Sequence, residues 1–298
     1  MKARFSRSRR AICLALPSLL LAACAPVPTK PEARPVRVGL ALGGGAARGF
    51  AHIGVIKVLE ANGIVPDMIM GTSAGSVIGA LYAAGFSGHQ LHELALKMDE
   101  AEIADWAVPF LGQYGGLIKG EALQNYVNRM VRNRPIEQLL RPLGVVATDL
   151  HTGKAIVFRR GNTGMAVRAS SSVPGVFQPV RIAGRDYVDG GLVAPVPVNL
   201  AREMGADFVI AVDIASRPAE QQVSGTVGVI LQTTAIMGQS IKQQELQRAD
   251  VAIQPTMPDV KSTDFDARHA AILAGEVATL AALPGIKSRL AQAREQVR

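Results

Sequence analysis

A serine stands in the spacing Gly-x-Ser-x-Gly within residues 68–76, where Gly71, Ser73 and Gly75 occupy the fixed positions. A short apolar run precedes the motif and a helical pattern follows it, which is the strand–turn–helix context that presents a nucleophile. Small neighbours let the backbone turn sharply and let the helix pack closely. The start of that helix directs N–H groups at whatever the serine attacks. We therefore predict Ser73 as a nucleophile; the alternative is a glycine-rich helix start that happens to contain serine.

A second glycine-rich stretch, residues 43–49, lies between a predicted strand and a predicted helix. Such a loop presents backbone N–H groups to an anion. A dinucleotide site would need glycine where Arg48 stands, and a P-loop would need Lys followed by Ser or Thr where Phe50 and Ala51 stand. We therefore expect no nucleotide partner. The same N–H groups can stabilise the oxyanion of an acyl-transfer reaction.

The elements around these two stretches alternate between strand and helix. This alternation predicts an α/β fold with three layers, α/β/α, around a mainly parallel central sheet. Both the glycine-rich loop and Ser73 follow strand ends, where such sheets place their ligand crevice. The predicted strands are residues 36–42, 68–70, 143–148, 155–158, 180–182, 186–188, 207–214 and 251–254, and the predicted helices are 50–61, 74–84, 87–98, 121–132, 165–171, 224–247, 266–282 and a polar tail from 286.

Composition excludes several classes of protein. Of 298 residues, 48% are hydrophobic and 19% charged, which suits a sizeable folded core and argues against disorder. The net charge of +8 suggests a nucleic-acid partner, but five of the 32 basic residues lie in the first ten positions. The remainder holds 27 basic against 24 acidic residues, and aromatic residues are only 4%. We therefore expect no nucleic-acid partner.

The N-terminus has the pattern of an export signal, with a basic stretch at 1–10 and an apolar run at 11–23. Residues 21–24, Leu-Ala-Ala-Cys, resemble the lipobox of bacterial lipoproteins, so we expect a signal peptide at 1–23 and lipid modification of Cys24. Ordinary cleavage at the small residues 23–25 is the alternative. Residues 24–35 are proline-rich and predict a tether that holds the body, 36–298, above a membrane surface. Because Ala25 follows the cysteine, the resemblance implies a lipid-anchored protein of the cell envelope, at the outer membrane facing the periplasm.

Four blocks of the body resemble the patatin-like phospholipase family. Residues 43–49 resemble its oxyanion-hole block, residues 71–75 its nucleophile elbow, and Asp189-Gly190-Gly191 its D-G-[GA] block with the catalytic aspartate. Residues 169–179 resemble its A-S-x-x-x-P-x-x-F-x-P segment. The likeness covers about residues 36–214. It implies a patatin-like fold and a serine acyl hydrolase that cleaves acyl esters of lipids with a Ser73–Asp189 dyad. It also implies an oxyanion hole in the loop that carries Gly43, Gly44, Gly45, Ala46 and Arg48.

A carboxylate is an unusual base for this reaction, since the pKa of a free carboxyl group is about 4. Burial in an apolar cleft would raise the pKa of Asp189 and let it take the Ser73 proton. Asp189 in a simple Asp-Gly turn is the alternative. For Arg48 we expect either a role in positioning the loop, contact with a phosphate headgroup, or a structural salt bridge.

Two rival functions remain open from the sequence. Ser73, Asp189 and His269 occur in the order of an α/β-hydrolase triad, although His269 lies inside a helical pattern. A non-catalytic lipoprotein that binds an acyl chain in the same cleft is the second rival. We interpret His52 as structural, and we expect no cofactor and no metal, since no calcium-loop pattern is present. The irregular apolar stretch 106–116 predicts either a lid or a lipid-facing lip, or else ordinary packing.

Overall fold

The computed structural model describes residues 34–98, 118–218, 223–261 and 264–296. The predicted signal peptide, Cys24, most of the predicted tether and the stretch 106–116 lie outside these ranges.

Eight strands form one sheet within the described residues, in the order β5-β6-β3-β2-β1-β7-β8, with β4 on β3. The pairs β1–β2, β1–β7, β2–β3 and β7–β8 are parallel, whereas β3–β4, β3–β6 and β5–β6 are antiparallel. The predicted α/β fold with a mainly parallel sheet is confirmed. The strands are β1 (Val38–Leu42), β2 (Met68–Thr72), β3 (Leu143–Asp149), β4 (Ala155–Phe158), β5 (Val180–Ile182), β6 (Arg185–Asp189), β7 (Phe208–Val212) and β8 (Val251–Ile253).

Helices cover the sheet where the sequence predicts them, and one further helix, Val198–Glu203, was not predicted. Short 3-10 turns span Ala46–Phe50, Ile136–Gln138 and Gly190–Leu192. The α-helices are α1 (Ala51–Ala61), α2 (Ala74–Ala83), α3 (Gly88–Lys97), α4 (Glu121–Met130), α5 (Thr163–Ser170), α6 (Val198–Glu203), α7 (Gly225–Gln247) and α8 (Arg268–Gln296).

The last helix differs from its prediction. The sequence predicts one helix at 266–282 and a second from 286, whereas α8 is continuous and carries Pro284 in its interior. Proline disfavours a helix interior because it lacks the N–H donor. The buried side chains of Ile286 and Leu290 hold the distal half of α8 against the core and keep it helical. By length and composition alone, α8 is long and apolar enough to cross a membrane. In this structure α8 packs along α1.

Alternate residues of the strands contribute their side chains to two hydrophobic cores on opposite faces of the sheet. Leu40 and Leu42 of β1 join the core formed with α1, α2 and α8, whereas Ala41 between them joins the core beneath α6. This alternation is the two-residue period of a strand. Both faces are therefore apolar and covered, as the three-layer prediction requires.

Strand β3 brings two distant strand ends together. Thr72, the last residue of β2, pairs with Val146, and Asp189, the last residue of β6, pairs with Ala147. Strand β4 pairs with β3 across both positions, so β2 and β6 share the opposite edge of β3. They run in opposite directions and meet end to end. Residues that follow β2 are consequently placed beside the end of β6.

Candidate active site

Ser73 occupies a strained turn between β2 and α2. Its φ of 51° and ψ of −122° lie in a region that non-glycine residues rarely adopt, and such strain concentrates at functional sites. The neighbouring glycines are required by close backbone contacts. A Cβ on Gly71 would lie 2.6 Å from the Gly75 carbonyl oxygen, and one on Gly75 would lie 2.2 Å from that of Leu42. The turn therefore has the geometry that the Gly-x-Ser-x-Gly spacing predicts.

The backbone of Ser73 is held on both sides. Its carbonyl oxygen accepts hydrogen bonds from the Ser76 N–H at 2.8 Å and the Ser76 hydroxyl at 2.6 Å. Its N–H donates to the hydroxyl oxygen of Ser170, at the end of α5, at 2.8 Å. Neighbouring Thr72 donates its hydroxyl to the carbonyl oxygen of Ala194 at 2.8 Å. These bonds over-determine the turn and maintain its strained conformation.

Asp189 lies at the end of β6 with its carboxylate directed at the serine. It accepts a hydrogen bond from the Gly191 N–H at 2.6 Å, and the Ser73 side chain interacts with it and favours its ionised form. Ser73 is 7% exposed and Asp189 6%. Burial raises the pKa of Asp189 to about 6, against the opposing effect of Ser73 and of the Gly191 N–H, which both favour the ionised carboxylate. Gly190 lies against β3, where a Cβ would approach the Val146 carbonyl oxygen to 2.3 Å.

The glycine-rich loop uses several of its amides internally. The N–H of Gly43 donates to the Val212 carbonyl oxygen and that of Gly44 to the Pro195 carbonyl oxygen, each at 3.0 Å. Of the predicted oxyanion-hole residues, these two therefore present engaged amides. The backbone N–H of Arg48, a buried residue, is also engaged, by the Gly45 carbonyl oxygen at 3.1 Å.

Two predicted donors of the loop stay available. Within the described part of the chain, no backbone acceptor is recorded for the N–H groups of Gly45 and Ala46. Ala46 has a φ of 48°, a second strained position close to the serine. A Cβ on Gly44 would lie 3.2 Å from that of Ser73, so the loop passes directly over the serine. Among the predicted donors, Gly45 and Ala46 are thus the ones whose amides no described backbone carbonyl engages.

His52 supports the loop from below. Its ring is fully buried, and Nε2–H donates to the Gly43 carbonyl oxygen at 2.8 Å. Burial lowers the pKa of His52 to about 4, so the ring is neutral at physiological pH. This placement agrees with the structural role predicted for His52.

Replacing His52 with Gln should change the pH dependence of stability. The His52 pKa lies below its ordinary value of 6.5, so its share of stability is lost as pH falls from about 6.5 to 4. The Asp189 pKa lies above its ordinary 3.8, so its share is lost as pH rises from about 4 to 6. The two slopes oppose each other in the wild type. In His52→Gln the melting temperature should fall more steeply as pH rises from 4 to 6. The surface variant His89→Gln is the control, and a His52→Gln curve parallel to the wild type would contradict the assignment.

The triad candidate His269 lies elsewhere on the described surface. It is in the first turn of α8, where its ring stacks edge-on to His92 of α3 at 6.4 Å between centroids. Among described residues, the groups bonded to the Asp189 carboxylate include no histidine. The described residues also contain no cluster of three or more His, Cys, Asp or Glu that could hold a metal ion.

Two supports of the site were missed from the sequence. The first is Ser170, whose hydroxyl oxygen accepts the hydrogen bond from the Ser73 N–H. Ser170 lies in the segment 169–179, and its hydroxyl group is the one feature of the sequence that could have indicated this role. The second is an ion pair at 3.1 Å between half-buried Lys242 of α7 and buried Asp213, which directly follows β7. Ile214 beside it packs against Gly45, where a Cβ would lie 2.9 Å from the isoleucine side chain. Nothing in the local sequence pairs residues so far apart.

Comparison with known proteins agrees with this geometry. The family model described as patatin-like phospholipase matches residues 40–202, which is more than half of the chain and includes Ser73, Asp189 and the glycine-rich loop. The chain belongs to the patatin-like phospholipase family. An uncharacterized NTE family protein of Mycobacterium tuberculosis is 39% identical over 178 residues, covering 60% of this chain and 49% of that protein. Human patatin-like phospholipase domain-containing protein 6 is 34% identical over 184 residues, covering 60% of this chain and 13% of that protein.

The chain thus spans about half the length of its mycobacterial relatives and a smaller part of the human one.

Solved structures share the patatin-like fold at lower identity. The crystal structure of VipD from Legionella pneumophila has a TM-score of 0.57 at 15% identity, covering 85% of this chain and 67% of that one. ExoU–SpcU from the type III secretion system of Pseudomonas aeruginosa gives 0.51 at 18% identity, covering 87% and 52%.

Proposed function

We propose that this protein is a serine acyl hydrolase that cleaves ester bonds of lipids. The observation that carries the proposal is the interaction of the Ser73 side chain with a buried Asp189 carboxylate, together with the pKa of that carboxylate, which burial raises to about 6. A carboxylate of that pKa is almost as basic as a histidine, whose ordinary pKa is about 6.5, and it remains ionised at neutral pH. Membership of the patatin-like phospholipase family supports a lipid ester as substrate.

In the first half of the reaction Ser73 Oγ attacks the acyl carbonyl carbon as its proton moves to Asp189. The N–H groups of Gly45 and Ala46 stabilise the negative charge that develops on the carbonyl oxygen. The tetrahedral intermediate collapses when the C–O bond to the alcohol breaks. The departing alkoxide takes the proton from Asp189, and an acyl ester on Ser73 remains.

In the second half water replaces the alcohol. Asp189, ionised again, accepts a proton from the water as its oxygen attacks the acyl carbon. The same two amides hold the second oxyanion. Breakage of the bond to Ser73 Oγ releases the carboxylic acid, and the proton on Asp189 returns to the serine. His52 is neutral and bonded to Gly43, so it supports the loop and takes no proton in this scheme.

A fluorophosphonate probe tests the nucleophile directly, because it phosphonylates an activated serine. We expect the full-length protein to be labelled at Ser73, and Ser73→Ala to be unlabelled. Ser224→Ala, an exposed serine at the start of α7, is the matched control and should label as the wild type. Labelling that survives in Ser73→Ala would place the nucleophile elsewhere, and no labelling of folded wild type would favour the non-catalytic acyl-binding alternative.

The same probe separates a dyad from a triad. The position of His269 beside His92 favours the dyad, since neither ring bonds Asp189. His269→Ala should label and hydrolyse esters at the wild-type rate. A loss of more than about a hundredfold in His269→Ala would instead indicate general-base catalysis by a histidine.

We also propose that the protein is a lipoprotein of the cell envelope, anchored through Cys24 after removal of residues 1–23 and facing the periplasm from the outer membrane. The support is the basic and apolar pattern of residues 1–23 followed by Leu-Ala-Ala-Cys. Incorporation of radioactive palmitate into wild type and into Cys13→Ser, but not into Cys24→Ser, is the expected result. Equal incorporation in all three would refute the anchor.

A further inference from the structure

Helix α7 lies beside the candidate active site. It packs against the Gly190–Leu192 turn that follows Asp189. A Cβ on Gly238 would lie 3.9 Å from the Gly191 carbonyl oxygen, and one on Gly175 would lie 3.8 Å from the Ile230 side chain. The helix therefore borders the turn that carries the catalytic carboxylate.

The two charged residues of α7 both lie in its last six positions and are both bonded to the body. Lys242 forms the ion pair with Asp213, and Glu245 accepts hydrogen bonds from the backbone and side chain of Asn199, both at 2.8 Å. No charged residue occurs from 223 to 241. One end of α7 is thus fixed to the body by charge, and the rest of the helix is electrically neutral.

The neutral part of α7 exposes large apolar side chains on one face. Met237 is 66% exposed and Ile236 54%, and the pair recurs two turns earlier at Val229 and Ile230. This spacing of seven residues places both pairs on the same side of a helix. Between them lies Thr233; together these five residues form the α7 face.

Hydroxyl groups do not make this face polar. The Thr233 hydroxyl donates to the Val229 carbonyl oxygen at 2.8 Å, and that of Thr234 to the Ile230 carbonyl oxygen at 3.0 Å. A hydroxyl bonded inside its own helix needs no partner from water, so its transfer to an apolar medium is inexpensive. In water the same arrangement leaves a row of apolar side chains exposed without compensation.

We propose that the α7 face inserts into the boundary between headgroups and acyl chains of a lipid surface. This insertion would hold the active site against its lipid substrate. This proposal rests on the proposed lipid ester hydrolase. An uncharged helix face with internally bonded hydroxyls removes no ion from water on insertion, which is the condition for lying in such an interface. A lipid held there would have its ester bonds beside the Asp189 turn.

A fluorescent reporter on the α7 face measures insertion locally. Met237→Cys, in the full chain with Cys13→Ser and Cys24→Ser, is labelled with an environment-sensitive dye; those two are the sole native cysteines, and their removal also removes the predicted anchor. Phosphatidylcholine vesicles should shift the emission to shorter wavelength. Leu273→Cys on α8, which is 59% exposed, is the matched control and should show no shift.

Kinetics provide a second measure. In the double variant Ile236→Asp and Met237→Asp, the ratio of turnover on vesicle lipid to turnover on a soluble short-chain ester should fall by about tenfold or more, since two inserted side chains become charged. The matched double variant Leu273→Asp and Val277→Asp should keep the wild-type ratio. Both control residues are 59% exposed on α8.

Three outcomes would overturn the proposal. The first is the same response from the dye at position 237 and the dye at position 273. The second is an apolar surrounding reported at position 237 before vesicles are added, as a second copy or residues 106–116 lying on the face would cause. The third is an equal loss of the ratio in both double variants. The dye experiment is repeated with Ser73→Ala. Insertion without ester hydrolysis by the wild type would refute the proposed enzyme while retaining the lipid-binding face.

Discussion

Asp189→Asn should lower kcat for ester hydrolysis by about a thousandfold while the protein stays folded. The amide keeps the shape of the carboxylate and can still accept the Gly191 N–H, but it cannot take the Ser73 proton. In the wild type, kcat/KM should fall about tenfold per pH unit below about 6, because protonated Asp189 is no longer a base, and should be level above it. Initial rates on a soluble ester between pH 4 and 8 measure both effects.

Asp186→Asn is the matched control for this experiment. Asp186 lies three residues earlier on β6, and its carboxylate is bonded to His151 and Arg181 on the surface. Its rate should stay within about twofold of the wild type. An Asp189→Asn enzyme within tenfold of the wild type would remove Asp189 from the role of base.

The same substitution should stabilise the protein at neutral pH. The pKa of Asp189 is raised from 3.8 to about 6, so keeping this carboxylate ionised costs up to about 3 kcal/mol of folding free energy at pH 7. Asn carries no charge and avoids that cost. Denaturant unfolding at pH 7 should show a gain in Asp189→Asn, and no gain at pH 4, where the wild-type carboxyl is already protonated in the folded state. A gain of the same size at both pH values would show that its origin is not electrostatic.

Gly275→Ala should destabilise the fold by about 3–5 kcal/mol. This is the largest loss of stability that we expect from a substitution that only adds atoms. Gly275 of α8 and Gly54 of α1 form a reciprocal contact. A Cβ on Gly275 would lie 2.0 Å from the Ala51 carbonyl oxygen, and one on Gly54 would lie 2.0 Å from that of Ile272. Both obstacles are helix backbone, so no side-chain rotation relieves them, and the helices must separate.

Gly285→Ala is the control on the same helix, because a Cβ there meets nothing within 4 Å. Alanine favours a helix over glycine, so this variant should be unchanged or more stable by up to about 1 kcal/mol. Urea unfolding of the three proteins gives the comparison. If Gly275→Ala lost less than about 1 kcal/mol, the close crossing of α1 and α8 would be wrong.

The elements that the sequence predicted best are those specified by local chemistry. Apolar runs and their glycine stops placed β1, β2, β7 and the helices between them within a few residues, because periodicity and chain breakers act over one or two turns. The break predicted at residues 283–285 was wrong for the same reason. Local propensity at Pro284 favours a break, whereas burial of Ile286 and Leu290 against distant residues maintains the helix.

The oxyanion loop shows the limit of local reasoning within the site itself. The sequence predicted the loop, but it did not predict which of the loop amides already donate a hydrogen bond within the protein. The acceptors for Gly43 and Gly44 are the carbonyl oxygens of Val212 and Pro195, about 150 or more positions further along the chain.

The α7 face was missed for a related reason. A run of apolar residues in a helix predicts burial, and only the packed structure shows which of them remain exposed.

The sequence by itself determined the chemical parts: a serine on a glycine-flanked turn, a glycine-rich loop after a strand, and an Asp-Gly-Gly block. Each part depends on contacts within a few residues, so spacing is sufficient to specify it. Tertiary structure decided how the parts meet. Thr72 and Asp189 stand opposite consecutive residues of β3, which brings the ends of two strands together across 117 positions. The same packing buries the Asp189 carboxylate and raises its pKa, because desolvation depends on everything that surrounds a charge and not on its neighbours in the chain.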